Sequence, residues 1–510
     1  MKLELRGHQE RYAVEQSLLN LFPGESPVYG DVSREESSWA ILELSETGDA
    51  LRVTAELSRD GKTSKRELTE RLTVTEGGGA ERSTVKRGGA ERPNVTEYER
   101  EGARRRLIAR AFYLAAVDVT GVTPPWGMLS GVRPDKLVTA ALASGRSEAQ
   151  AQRMLQENYG VSAARASLAV ETGRVAHRIA QTLKKQDVAV YVGIPFCPTR
   201  CAYCSFVSQS VEKSFPLMEP YVGALEEEIR LGGALAKRLG LRVRAFYMGG
   251  GTPTTLNPEQ LFRVLTAFET SFDASDCTER TVEAGRPDTI TAEKMEVLRE
   301  CGVDRVSVNP QSMDDNVLKA IGRRHTADDV ERAMKLASGF PHVNMDVIAG
   351  LPEDTPAGFA ETLRRCIAFG PDNLTVHTLA LKKGSRVMTQ NLSIPDAESV
   401  GEMLEDAATA LRGAGYAPYY LYRQKYMSGR FENIGWSKPD AICLYNILMM
   451  SELCGILSFG AGGAVKLVDR EKNQIKRLFH AKYPEEYVSR PEKGAEIREA
   501  IAEFYGGASA

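Results

Sequence analysis

"VAVYVGIPFCPTRCAYC", residues 188–204, is an apolar, β-branched run that ends in Cys197, Cys201 and Cys204, spaced C-x3-C-x2-C. Its first half predicts a buried strand, and the cysteines fall just past the strand's end. Three cysteines so close share a purpose, and an odd number does not pair off into disulfides. Three thiolates also leave a tetrahedral zinc site one ligand short, and His177 and His325 show no zinc-finger spacing to supply it. A [4Fe–4S] cluster fits better. It normally takes four thiolates, and with three one iron stays open to an outside ligand. A small molecule bearing an amine and a carboxylate can chelate that iron.

Working outward, short β-rich runs alternate with amphipathic stretches from residue 186 on. The runs are "VAVYVGI", "VRAFYM", "RTVEA", "DRVSVNP", "HVNMDVIAG" and "NLTVHTLAL"; "EPYVGALEEEIRLGGALAKRL" and "TAEKMEVLRECG" lie between them. Strand–helix alternation with apolar strands predicts a parallel sheet. About six units fit between 186 and 390, which predicts an α/β fold, a partial (β/α)6 barrel. A full eight-unit barrel is the alternative, but "RQKYMSGRFENIGWSKP" breaks the rhythm. Residues 391–510 read as a separate appended region.

Before the barrel, residues 1–97 predict a small α/β unit, with "HQERYAVEQSLLNLF" as a helix and "WAILEL" and "LRVTAEL" as strands. Residues 75–97 carry "GGAER" twice and almost no large apolar residue, and are expected to form a loop. Residues 98–185 predict helices.

The 510 residues allow more than one domain. A hydrophobic content of 42%, a charged content of 26% and a net charge of −3 give no global sign of nucleic acid or an anionic membrane as partner. No apolar run approaches the roughly 18 residues of a membrane span. The opening "MKLELRGHQERYAVEQ" lacks the apolar core of a secretory signal, so a cytoplasmic location is expected. There the scattered Cys277, Cys301, Cys366, Cys443 and Cys454 stay reduced and read as structural thiols.

In parallel barrels the chemistry sits at the C-terminal ends of strands. Gly249, Gly250 and Gly251 follow the second strand, Glu283 the third, Asn309 and Gln311 the fourth; Asp346 lies on the fifth and His377 on the sixth. Each is ordinary alone. A polar or glycine feature at every strand end, after a cysteine cluster, points to one shared site.

With these motifs assembled, the chain resembles the radical S-adenosylmethionine (SAM) superfamily, whose signature is C-x3-C-x2-C with an aromatic residue, here Tyr203, before the last cysteine. "YVGIPFC", "MGGGTPTTL", "NPQSM" and "VNMDVIAGLPEDT" resemble the oxygen-independent coproporphyrinogen III oxidase group. "WGMLSGVRPDKLV" and "YYLYRQKYMSGRFENIGWSKP" are similar to its HemZ-type branch. The resemblance implies that Cys197, Cys201 and Cys204 hold a [4Fe–4S] cluster. Its open iron binds the amino and carboxylate groups of SAM, and reduction releases a 5′-deoxyadenosyl radical. It implies that Tyr191 lies near the sulfonium, that Gly249, Gly250 and Thr252 meet the methionine moiety, and that Glu283 holds the cofactor amine or ribose. Gln311, Arg323 and Asp346 complete the pocket, and Tyr191 and Arg323 are expected to be catalytic as well. Two positions depart from the best-studied coproporphyrinogen branch: Phe206 stands where it has a further cysteine, and Gly193 where it has a histidine.

The function that the resemblance implies is anaerobic oxidative decarboxylation of a porphyrinogen, with an electron donor such as flavodoxin or ferredoxin as partner. Lys382, Lys383, Arg386, Arg423 and Lys425 are candidates to hold substrate carboxylates. A haem chaperone of the HemW type, and another radical reaction on a tetrapyrrole, remain as rival expectations.

Overall fold

The computed structural model describes residues 1–22, 25–72, 96–129, 133–204, 208–382, 384–424 and 427–506. The chain divides into two compact units, residues 1–131 with 140–170, and residues 132–139 with 171–510. The loop expected at 75–97 lies, up to residue 95, outside the described residues, as do Phe206, Lys383 and Lys425.

In the first unit, strands Val28–Tyr29, Lys2–Arg6, Ser38–Thr47, Ala50–Arg59 and Lys62–Arg71 form one sheet in that spatial order. "WAILEL" and "LRVTAEL" fall in the central hairpin, whose strands pair from Ser38↔Arg59 to Thr47↔Ala50. Their inward residues Leu42, Leu51, Val53 and Leu57 join Leu18 of helix Arg11–Leu21 and Ile108, Ala111 and Phe112 of helix Glu97–Thr120 in one core. The longer helix starts at a capping box, in which Thr96 and Glu99 satisfy each other's backbone N–H, and stops at the left-handed Gly121.

The second unit is organised by a single sheet of eleven strands. Its centre is six consecutive parallel strands: β1 (Asp187–Ile194), β2 (Arg242–Gly250), β3 (Arg280–Gly285), β4 (Arg305–Val308), β5 (His342–Ala349) and β6 (Asn373–Thr378). Helices α1 (Val211–Arg238), α2 (Pro258–Ser271), α3 (Ala292–Glu300), α4 (Ala327–Ala337) and α5 (Pro356–Ala368) connect them, with a short helix Asp315–Ala320 before α4. This is the strand–helix order of a partial (β/α)6 barrel. The strands are buried on both faces and therefore read as apolar runs. Helix starts are written locally: Asn257 and Gln260 form a capping box before α2, Thr326 and Asp329 before α4, and Thr355 caps α5 with Pro356 at its first position.

The last hundred residues do not form a sheet of their own, contrary to the expectation of a separate region. After α6 (Ala397–Gly413), the antiparallel strands β7 (Ala417–Tyr422) and β8 (Asn433–Ser437) extend the sheet beyond β6. Strand β9 (Gly455–Phe459) then pairs in parallel with β1 at the opposite edge, and β10 (Ala464–Asp469) and β11 (Gln474–Phe479) continue outward. An open parallel sheet leaves two unpaired edges, and the C-terminal region covers both. Among the described residues, no helix is long and apolar enough to cross a membrane.

Candidate active site

A cavity of about 710 Å³ opens at the C-terminal ends of the parallel strands. Cys197, Cys201 and Cys204 line it together with Tyr191, Gly250, Thr252, Glu283, Gln311, Arg323 and Asp346. Of the residues expected to hold the cluster or SAM, Gly249 alone is not part of the wall. It sits behind it, where a Cβ would come within 2.8 Å of the Glu283 carboxylate.

The cysteine loop is fastened on several sides. Gly251 N–H donates to the Ile194 carbonyl at 2.7 Å and Thr252 N–H to the Phe196 carbonyl at 2.8 Å. A Cβ at Gly251 would lie 2.5 Å from that Phe196 oxygen, so glycine is required for β2 to pass so close. Further along, Ala202 N–H donates to the Ile321 carbonyl at 2.9 Å and Thr199 Oγ1 to the Gly322 carbonyl at 3.0 Å. Donors also reach the sulfurs: Thr252 Oγ1 lies 3.6 Å from Cys197 Sγ, and Arg286 Nη1 3.6 Å from Cys201 Sγ.

Two buried arginines set the charge around the thiols. Arg286 is held by Asp288 through two bonds of 3.0 and 3.1 Å. Arg323 Nη1 donates to the Asn309 carbonyl at 2.5 Å and Nη2 to the Tyr203 hydroxyl at 3.0 Å, which gives the aromatic residue of the cysteine motif a job. Burial pushes the Cys197 thiol up. Burial acts on Cys201 too, but the Arg323 and Arg286 cations outweigh it and hold that thiol below its ordinary range. Sequence reasoning missed Arg286; its signal was its place directly after Gly285 at the end of β3.

Opposite charges line the next strands. Tyr247 donates to Glu283 Oε1 at 2.5 Å. Burial pushes the Glu283 carboxyl up to about 7, with the Tyr247 hydrogen bond opposing and the Asp346 charge adding to the rise. Asp346 is also buried, yet the neighbouring His377 and the Asn344 amide, 2.9 Å from Oδ1, hold it below the usual carboxylate range. Gln311 sits in the left-handed region at φ 69°, pinned by its N–H to the Asp346 carbonyl at 2.9 Å and by its own carbonyl to Ile348 N–H at 3.0 Å.

Tyrosines form the remaining wall. Tyr191, Tyr247 and Tyr445 stack with ring centroids 6.3, 6.2 and 4.4 Å apart, and Tyr445 belongs to the C-terminal helix Leu444–Met450. Tyr420 and Tyr422 of β7 also face the cavity. Side chains alternate along a strand, so Arg423 points elsewhere, its Nη2 donating to the Arg430 carbonyl at 3.3 Å. Arg386 likewise lies off the cavity, bonded to the Arg200 carbonyl at 2.8 Å. Of the cations expected to meet substrate, Lys382 lines it.

Residues 191–366 match the radical SAM superfamily. Over 502 residues, 96% of this chain and 95% of the relative, the sequence is 34% identical to the oxygen-independent coproporphyrinogen-III oxidase-like protein HemZ of Bacillus subtilis. The chain belongs to the HemZ family of radical SAM proteins. This HemZ-family chain is also 27% identical to the haem chaperone HemW of Escherichia coli over 310 residues, 60% of this chain and 77% of that one. Among solved structures, the coproporphyrinogen III oxidase HemN of Escherichia coli covers 65% of this chain and 73% of its own, at 22% identity and a TM-score of 0.49.

Radical SAM proteins use a [4Fe–4S] cluster and SAM. The residues present fit both. All three cysteines line one cavity wall. No three metal-binding side chains among the described residues converge on a single ion. A cluster asks for something else, one thiolate at each of three irons. For the small molecule, Asn309 Oδ1, Gln311 Oε1 and Arg323 Nε are buried polar atoms without a hydrogen-bond partner among the described residues, all on residues of the same wall. Such atoms are costly unless a ligand meets them.

Proposed function

We propose that this protein is a radical SAM oxidoreductase that decarboxylates the propionate side chains of coproporphyrinogen III to vinyl groups. The observation that carries the reading is the convergence of the three thiols with two carboxylates, two arginines and a tyrosine wall on one cavity, in a chain that aligns with HemZ over nearly its full length. Cys197, Cys201 and Cys204 hold the cluster, and Glu283, Gln311, Arg323 and Asp346, with the backbone at Gly250 and Thr252, hold SAM. With both bound, the cofactor supplies abstraction of a hydrogen atom from an unactivated carbon.

The side chains do the rest. The net change at each propionate is loss of carbon dioxide, of a hydrogen atom that the cofactor would take up, and of an electron that would pass to an acceptor such as the oxidised form of the electron carrier. The propionate hydrogen is not acidic enough for base catalysis, so the protein's task is to place it. Tyr191 and its stacked neighbours exclude water and offer flat apolar faces to a tetrapyrrole. Lys382 meets a carboxylate. Glu283 and Asp346 orient the cofactor, and Arg323 balances the charge gathered at the cysteines. The protein acts in the cytoplasm, reduced by a carrier such as flavodoxin or ferredoxin.

The test is anaerobic reconstitution, followed by mass spectrometry of the products formed with SAM and coproporphyrinogen III and, separately, with haem. Loss of carbon dioxide with gain of vinyl groups is expected. The kinship to HemW supports one rival, a haem chaperone. Deoxyadenosine formation without decarboxylation, together with stoichiometric haem binding, would favour it.

A further inference from the structure

Strands β5, β6 and β7 turn alternate residues into the cavity, among them Asn344 and Asp346, Thr375 and His377, and Tyr420 and Tyr422. In the sheet, β8 lies between β6 and β7, and Thr375 and Tyr420 both pair with Gly435. A Cβ at Gly435 would collide with the Tyr420 ring. Without one, the ring crosses β8, and its hydroxyl lies 3.4 Å from Thr375 Oγ1. Tyr422, stacked on Tyr420 at 6.4 Å, makes the same crossing one step along, and its hydroxyl lies 3.4 Å from His377 Nδ1. With the phenol donating to Nδ1, the imidazole carries its proton on Nε2. That nitrogen faces Asp346 Oδ2 at 3.8 Å. The imidazole is therefore held at one edge by the outer strand and turned at the other toward the carboxylate, within ion-pair reach but beyond direct hydrogen-bond length.

We propose that Tyr422 and His377 are positioning residues that fix the Asp346 carboxylate for the cofactor, so that a strand of the C-terminal region governs SAM affinity. The inference rests on the reading of Asp346 as a SAM ligand given above. Tyr422 sets the tautomer of His377, and His377 sets the rotamer and the ionised state of Asp346. Partners one step behind a ligating group commonly change affinity by about tenfold to a hundredfold when removed.

The experiment measures equilibrium binding of SAM, and of uncleavable S-adenosylhomocysteine, to anaerobic cluster-loaded protein. His377→Phe is expected to weaken both by about tenfold or more. His377→Gln, whose amide N–H replaces Nε2–H, should stay within about threefold of wild type. Tyr422→Phe should weaken binding by about threefold alone and add nothing in the His377→Phe background, because the two act through one chain. If His377→Phe does not fold, His377→Ala replaces it in the cycle. Wild-type affinity in the folded His377 variant, or equal effects of Tyr422→Phe in both backgrounds, would overturn the relay. Asp346→Asn separates the two readings. Unchanged affinity there removes Asp346 as a ligand and the relay with it, whereas weakened affinity beside a normal His377→Phe removes the relay alone.

Discussion

Glu283 shows how one buried carboxyl ties fold to chemistry. Its pKa is raised from 4.5 to about 7, chiefly by burial. A raised pKa means that the folded state keeps a proton that the unfolded state gives up. The associated stability is complete below about pH 4.5 and is lost as pH rises through about 7. Glu283→Gln cannot titrate. The stability of wild type relative to this variant, measured by urea unfolding of SAM-free protein, should therefore fall between about pH 5 and 7 and level off above. The same variant should keep its cluster but bind SAM more weakly by about 1.5–3 kcal/mol, through loss of a charge-assisted contact. At the thiols the expectation is simpler. Reconstitution should give about four irons per chain, and alanine at Cys197, Cys201 or Cys204 should abolish the brown absorbance. Equal dependence on Cys277 or Cys301 would break the open-iron argument. The cysteines and most strand-end residues were legible in the sequence because spacing and strand position identify them. Arg286 was not, because a single polar residue carries no pattern until a neighbour such as Asp288 is placed beside it, and the position of His377 gave no sign of its partner Tyr422.

At the scale of elements, the six parallel strands were legible almost to their ends. "RTVEA" lies within β3, and "HVNMDVIAG" is β5 with one residue more. Continuous burial gives such strands an apolar signature that survives without tertiary information. The edge strand β11, "QIKRLF", gave none: it is largely exposed and mixes charges with apolar residues. Partners far along the chain decide such segments. Alternation makes a sharp test on either side of β7. Lys382→Met should raise KM for coproporphyrinogen by about tenfold, equivalent to about 1.4 kcal/mol. Arg423→Met should leave KM unchanged and lower thermal stability instead. At the end of β2, Gly251→Ala forces a methyl against the Phe196 carbonyl. A cost of about 1–3 kcal/mol in unfolding free energy is expected, with lower iron content after reconstitution because the cysteine loop must shift. Normal iron content in this variant would show that the loop tolerates the move.

For the whole molecule, the division into two units has a measurable consequence. The core of the first sheet is drawn entirely from residues 1–119. A fragment of residues 1–121, ending at the left-handed Gly121 cap, should therefore fold by itself and unfold cooperatively in circular dichroism. Non-cooperative melting would mean that this sheet depends on the rest of the chain. The second unit offers no such cut, because its sheet is completed from both edges by residues after 413. That arrangement was illegible in the sequence. Nothing local announces that β9 belongs beside β1, more than two hundred residues earlier, and only the pairing from Gly455↔Val188 to Phe459↔Val192 reveals it.

The late pairing of β1 also imposes an order on biosynthesis. While the ribosome is still making the chain, the strand that leads into the three cysteines has β2 on one side and nothing on the other. Its outer edge remains open until residue 459 has left the exit tunnel. A nascent or prematurely terminated chain thus displays a bare strand edge directly beside three thiols, a template for aggregation next to a target for oxidants. Iron loading is safest once β9 has emerged and paired with β1, and nonsense mutations upstream of residue 455 should be cleared by proteolysis rather than accumulate as truncated protein.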